Sequence, residues 1–291
     1  MTRTPDFLII GAMKSATSSL YDQLVQQSGI FMSTPKEPNF FSDDTVYAHG
    51  FNWYENLFKD AKENDLVGEA STHYTKLPTY PNTVLRIKQY IDKPRLIYVM
   101  RHPIDRLVSH YIHEWSQGII KCGIDKALDR HPELIAYSMY SMQLKPYIEA
   151  FGLNSILPVF FDRIKNNPDD ELARICNFIG YQGTPTWHFD MSPSNVSLQR
   201  VRKFPLYSLL VESRPATWIR RRFVPKSLRD QIRHQLSFKK RPVLSEDSNA
   251  KLQRILDDDL AILAGWMGID SLTCKNFVRV TSSPNLEWSQ D

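Results

Sequence analysis

Four short apolar runs punctuate the chain: Phe7-Leu8-Ile9-Ile10 ending at Gly11, Leu66-Val67-Gly68, residues 95–100 and residues 156–161. Runs of this length without alternation read as strands buried on both faces, the pattern of a parallel sheet. Pro158 predicts an irregular start to the last of them. Between the runs the apolar period changes to that of a helix. Residues 17–27 place Leu20, Leu24 and Tyr21 on one side. After Pro103, a favoured first helical residue, Ile104, Leu107, Val108, Tyr111, Ile112 and Trp115 form one apolar stripe. Leu172, Ile175, Cys176 and Ile179 form another, closed by Gly180. A last helix is expected over 245–267, with Leu252, Ile255, Leu256, Leu260 and Leu263 inward. Strands alternating with helices predict an α/β fold, a three-layer sandwich with a central parallel sheet flanked by helices. A single domain is expected over 1–291, with a lid-like basic insertion at about 186–243, where periodicity is weak.

Composition narrows the class. Hydrophobic residues make up 42% and charged residues 23% of 291, which fits a globular chain and excludes wholesale disorder. No apolar run reaches the length of a membrane-spanning helix. Cys122, Cys176 and Cys274 are too few and too scattered for a disulfide framework or a zinc site, so a cytoplasmic protein is expected. The net charge of +4 is unevenly spread. Between Arg200 and Arg241 there are 13 basic and 2 acidic residues, leaving the rest of the chain net acidic. Such a block suits an anionic substrate or a membrane surface. No nucleic-acid motif accompanies it, so no nucleic-acid partner is expected.

The candidate chemistry lies at two strand–helix turns. Gly11-Ala12-Met13-Lys14-Ser15-Ala16-Thr17-Ser18 joins the first strand to the first helix, where backbone N–H groups and the helix dipole attract anions. Lys14 adds a charge, and Ser15, Thr17 and Ser18 add hydroxyl donors. The nucleoside-triphosphate loop G-x-x-x-x-G-K-[ST] has a second glycine before its lysine. Here Lys14 follows Gly11 by three residues with none between, so a metal-free phosphate site is expected. At the second turn Arg101 ends the third strand, where ligands of open parallel sheets sit. Ser109 falls opposite the apolar stripe, on a polar side with Asp105 and Arg106, and is expected to share a phosphate with Arg101. The competing reading pairs Arg101 with Asp105 and leaves Ser109 in solvent.

Together the two turns resemble the sulfotransferases that use 3′-phosphoadenosine 5′-phosphosulfate (PAPS). The loop GAMKSATSSL is similar to the family's 5′-phosphosulfate loop, and RHPIDRLVSHY, from Arg101 to Tyr111, to its 3′-phosphate motif. Lys36-Glu37-Pro38-Asn39-Phe40-Phe41 resembles the K-E-x-x-F-F element of the heparan sulfate sulfotransferase branch and its bacterial relatives. Further similarity covers GEASTHY at 68–74 and the stretch from 157 to 180. Three departures stand out. Ala16 replaces the usual loop glycine, and its methyl is expected to fit with φ negative. A histidine and a lysine of the animal 3-O-sulfotransferases are replaced by Asn39 and Ala70, which argues against carrying over that glycan specificity. The branch's nucleotide-holding Lys-Gly-Arg-type loop has no obvious counterpart, with residues 239–241 or Arg200 and Arg202 as candidate substitutes.

The resemblance implies a P-loop-type fold and an enzyme that moves a sulfuryl group from PAPS to a hydroxyl or amine, with no metal required. It implies that Lys14, Ser15, Ala16, Thr17 and Ser18 hold the 5′ end of the nucleotide, and that Arg101 and Ser109 hold the 3′-phosphate. Glu37 resembles the catalytic base, with Phe40 and Phe41 as expected apolar neighbours. Lys14 is expected to stabilise charge on the leaving oxygen. His73 is the competing base. Phe51, Trp53, Tyr54 and Tyr74 are expected to line the acceptor site. The acceptor's class, whether saccharide, lipid or small metabolite, stays open. Two other readings remain: a P-loop kinase or NTPase, and a non-catalytic binder of anionic glycans or membranes through 200–241.

Overall fold

The computed structural model describes residues 3–190, 240–284 and 286–289. Five strands run β1 (Phe7–Gly11), β2 (Ile30–Met32), β3 (Leu66–Ala70), β4 (Arg95–Met100) and β5 (Ile156–Phe160). The helices that pack on them are α1 (Thr17–Val25), α2 (Asp44–Tyr47), α3 (Phe51–Glu55), α4 (Thr83–Tyr90), α5 (Pro103–Ser116) and α6 (Ile124–Arg130). They continue with α7 (Glu133–Ala136), α8 (Tyr140–Phe151), α9 (Phe161–Asn166), α10 (Pro168–Ile179), α11 (Glu246–Trp266) and α12 (Phe277–Thr281). The sheet is wholly parallel, in the order β2-β3-β1-β4-β5.

Two apolar layers enclose the sheet. One gathers Phe7, Ile9, Leu20, Leu24, Ile97, Val99, Leu172, Ile175 and Ile179 against α1 and α10. The other, larger layer takes Leu8, Ile10, Tyr98 and Met100 against α5, α8 and α11. Successive β1 residues thus face opposite layers, and both are apolar, which is why the strand reads as a continuous run. Gly68 is dictated by this packing: a Cβ there would lie 2.2 Å from the Phe7 ring. Pro158 sits inside β5 rather than disturbing its start, which an edge strand tolerates.

From β1 the chain moves toward β3 and β2, and then crosses to β4 and β5 on the other side. The order reverses beside β1, and the carboxyl ends of β1 and β4 open into the crevice where such sheets bind ligands. Both candidate turns stand there.

One expected surface is not a surface. Arg106, Ser109 and His110 of α5 are 0%, 3% and 3% exposed. The segment around α7 covers that side of the helix: Arg106 donates to Ser138 Oγ at 2.6 Å and to Leu134 O at 2.8 Å, and His110 stacks on Tyr137. Asp105 alone stays partly open and pairs with Arg241 at 2.7 Å. The competing picture of an Arg101–Asp105 pair beside an exposed Ser109 fails on both counts. The basic insertion, with its Arg200–Arg202 and 220–222 clusters, lies outside the described residues apart from its ends. No helix among the described residues is long and apolar enough to cross a membrane.

Candidate active site

The β1–α1 loop is fixed from three sides. Ala12 N–H donates to Val99 O at 2.9 Å, Ser71 N–H to Ile9 O at 3.0 Å, and Thr75 Oγ1 to Ile10 O at 2.7 Å. Gly11 is the close-approach residue, since a Cβ there would lie 2.0 Å from Thr75 Oγ1 and 2.8 Å from the Tyr98 ring. The loop then winds through the left-handed region at Lys14 (φ 72) and Ala16 (φ 68). The expectation of a negative φ at Ala16 is therefore wrong. The turn keeps the shape that a glycine would hold without strain, because Ala16 must cap α1 while the loop reverses. Ala16 has no side chain to accept from the helix start, which leaves first-turn N–H groups of α1 available to a ligand. Ser15 Oγ is buried without a hydrogen-bond partner, although Tyr140 is adjacent. The Tyr140 hydroxyl is committed to the Arg101 backbone, donating to its carbonyl and accepting its N–H. Open N–H groups, a spare hydroxyl and a lysine suit a phosphate or sulfate ester.

Arg101 comes to the same place from β4. Its guanidinium reaches Lys14 O at 3.5 Å and lies over the Phe161 ring at 4.7 Å. Partial burial lowers its pKa, with Asp105 acting the other way, and a guanidinium remains charged at neutral pH. Ser109 lies further along α5, buried as described above.

Glu37 is carried by the turn 36–41. Its N–H donates to Ala70 O at 3.0 Å, and both Glu37 and Asn39 have φ 57. The nearest charge to its carboxylate is Lys36, whose Nζ is 3.0 Å from Glu37 Oε1 and 3.0 Å from Ser18 Oγ. Phe40 and Phe41, expected beside it, are residues of the aromatic core. Both are fully buried; Phe40 stacks on Tyr54 and Phe41 meets it edge-on, with Phe51 and Trp53 beside Phe40. Tyr54 and Tyr74 likewise belong to the core rather than to an acceptor cleft.

His73 stacks on Tyr80 at 4.8 Å, and its Nδ1 is buried without a partner. Desolvation and then the charge of Lys76 hold its pKa down to about 4, with Glu37 opposing, so the ring is neutral at physiological pH. Lys76 and Glu69 are absent from the sequence-derived site. Lys76 is only 8% exposed, lies over Tyr137 at 5.8 Å, and is drawn down to about 8 by desolvation against the pull of Glu37. Glu69 is fully buried. No cluster of three potential metal ligands occurs among the described residues.

The fold is an α/β protein with a wholly parallel sheet, in which a basic loop and an arginine converge at the switch point where open sheets of this kind bind ligands. The family model for the sulfotransferase domain matches residues 4–264, and the chain belongs to that family of transferases. Mouse heparan sulfate glucosamine 3-O-sulfotransferase 3A1 is 26% identical over 185 residues, covering 60% of this chain and 46% of that protein. Human heparan sulfate glucosamine 3-O-sulfotransferase 6 is 27% identical over 192 residues, covering 63% and 54%. The chain thus spans about half the length of these curated relatives. A sulfotransferase from Alicyclobacillus acidocaldarius shares the fold with a TM-score of 0.64 and 21% identity, covering 92% of this chain and 97% of that one.

Proposed function

We propose that this protein transfers a sulfuryl group from PAPS to an acceptor hydroxyl or amine, with Glu37 as base. One observation carries the reading: Lys36 touches both Ser18 in the anion loop and the Glu37 carboxylate. Donor loop and base are thereby within one side chain's reach, as an in-line transfer demands.

The loop fits the donor by its own chemistry, through the unpartnered Ser15 hydroxyl, the uncapped start of α1 and Lys14. Lys14, Ser15, Ala16, Thr17 and Ser18 would hold the 5′ end, and Arg101 with Ser109 the 3′-phosphate. Bound PAPS supplies an activated sulfuryl group on a phosphate leaving group. Glu37 accepts the proton of the acceptor as the new bond to sulfur forms. Lys14 and the loop N–H groups neutralise the charge that builds where the old bond breaks. His73, its ring stacked on Tyr80 and its Nδ1 buried, is the weaker candidate for base. The names of the relatives favour a saccharide acceptor, and the positive surplus over 200–241 favours one with anionic groups.

Two variants test this in an acceptor screen with radiolabelled PAPS. Lys14→Ala is expected to abolish transfer with the fold intact, and near-normal turnover would refute its role. Glu37→Gln is expected to keep the affinity for 3′,5′-adenosine bisphosphate while turnover drops by about 10²–10⁴. A smaller drop at saturating donor would transfer the role of base to His73. Activity in excess chelator separates this chemistry from magnesium-dependent phosphoryl transfer.

A further inference from the structure

Glu69 places a carboxylate in the core, fully buried near the end of β3. Three hydroxyls converge on it. Ser71 Oγ donates to Oε1, while Tyr54 and Tyr74 donate to Oε2, the latter at 3.0 Å. Two of these hydroxyls also receive backbone N–H groups. Asn39 N–H donates to Ser71 Oγ at 3.0 Å, and Phe41 N–H to the Tyr74 hydroxyl at 3.4 Å. A hydroxyl has one proton. By taking that proton from Ser71 and from Tyr74, the carboxylate leaves their lone pairs facing the turn that carries Glu37. That turn needs holding, because Glu37 and Asn39 both occupy the left-handed region, which is unfavourable for a glutamate above all.

We propose that Glu69 is the positioning residue for Glu37: its ionised carboxylate locks the turn 36–41 through the Ser71 and Tyr74 hydroxyls, and protonation of Glu69 loosens that turn. The functional part of this assignment rests on the role of Glu37 proposed above. Protonation adds a hydrogen where the oxygens already face donors. A displaced hydroxyl proton then lacks an acceptor or turns against the N–H that the hydroxyl receives.

The groups facing Glu69 are Tyr54 of α3, Tyr74 of the 72–75 turn, Tyr147 of α8 and Glu37. Burial pushes Glu69 up from 4.5 to about 7, the hydrogen bonds from Ser71, Tyr54 and Tyr74 oppose the rise, and Glu37 adds to it. Tyr54, Tyr74 and Tyr147 are pushed well above the usual tyrosine range by burial, so they stay donors throughout. The native value exceeds the unfolded one, so this group's stability contribution is complete below about 4.5 and is lost as pH rises through about 7. The ionised form that orders the turn is thus the form that costs the fold stability.

Amide hydrogen exchange at Asn39 and Phe41, normalised to intrinsic rates from pH 5.5 to 8.5, tests the relay. In the wild type, protection is expected to fall about tenfold on acidification, with its midpoint near Glu69's own. Glu69→Gln, which offers one acceptor oxygen and a misplaced donor, is expected to show low protection at every pH. Tyr74→Phe is expected to lose protection at Phe41 and to retain it at Asn39. The slow consumption of PAPS by water should follow the wild-type protection curve and lose that pH dependence in Glu69→Gln. Protection that is flat with pH in the wild type, or unchanged in Glu69→Gln at pH 8, overturns the proposal. If Glu69→Gln does not fold, the wild-type profile and Tyr74→Phe decide. The affinity for 3′,5′-adenosine bisphosphate, measured by calorimetry, is expected to stay within twofold in both variants. Failure of that nucleotide to bind the wild type would strike the proposed function, while the exchange data would still decide the relay.

Discussion

Ala16 occupies a backbone conformation that suits a residue without a Cβ, at φ 68 and ψ 18. The left-handed region costs an L-residue roughly 1–2 kcal/mol. Ala16→Gly is therefore expected to stabilise the protein by about 1 kcal/mol after the added freedom of the unfolded chain is counted. Chemical denaturation measures this, and a loss of stability would show that the methyl is needed. The residue type alone did not disclose the strain, since an alanine ordinarily keeps φ negative and the loop overrides that preference. Glu69 and Lys76 were hidden for a related reason. Lys76 meets Tyr137, distant along the chain, only through the fold, and although Ser71 and Tyr74 lie close to Glu69 in sequence, no pattern in the residues shows that their hydroxyls turn inward onto it.

At the scale of elements, legibility followed length and apolar contrast. β1, β4, α5, α10 and α11 were readable because each carries a long or cleanly periodic apolar set. β2 was not, because Ile30–Met32 is a three-residue strand that gives no period. The helices α6 to α8 were also missed, their apolar positions being broken up by charged and aromatic residues. Some elements also depend on distant partners. Asp259 of α11 is 4% exposed and accepts from Ser141 N–H and Met142 N–H, both at 3.0 Å, and from Ser141 Oγ. It thus caps the start of α8 from another helix, a contact separated by more than a hundred residues. Asp259→Ala is expected to cost about 1–3 kcal/mol, because buried N–H groups lose their acceptor. A thermal melt checks it, and an unchanged midpoint would mean that water replaces the carboxylate.

At the scale of the molecule, the two anion-facing turns leave β1 and β4 on either side of the point where strand order reverses. This placement was legible in part. Lys14 and Arg101 each follow a readable strand, so their convergence could be expected, whereas the burial of Arg106 and His110 depended on how the α7 segment folds back. A ligand bridging both turns ties the two wings of the sheet together. At a hundred times its dissociation constant, 3′,5′-adenosine bisphosphate is expected to stabilise the fold by about 2.7 kcal/mol, a rise of a few degrees in Tm. The same experiment with Arg101→Ala should give a markedly smaller rise, and an equal rise would place the nucleotide elsewhere.

Lys36 has one ammonium and two hydrogen-bond partners, Ser18 on one side and Glu37 on the other. A nucleotide that recruits this ammonium alters what it offers the carboxylate, and an acceptor that engages the carboxylate alters what it offers the nucleotide. Equilibrium thermodynamics makes those two influences equal: the factor by which either ligand changes the affinity of the other is a single number. On the proposed function, cooperativity between the two substrates would run through this one side chain, and measuring it from either direction must return the same value.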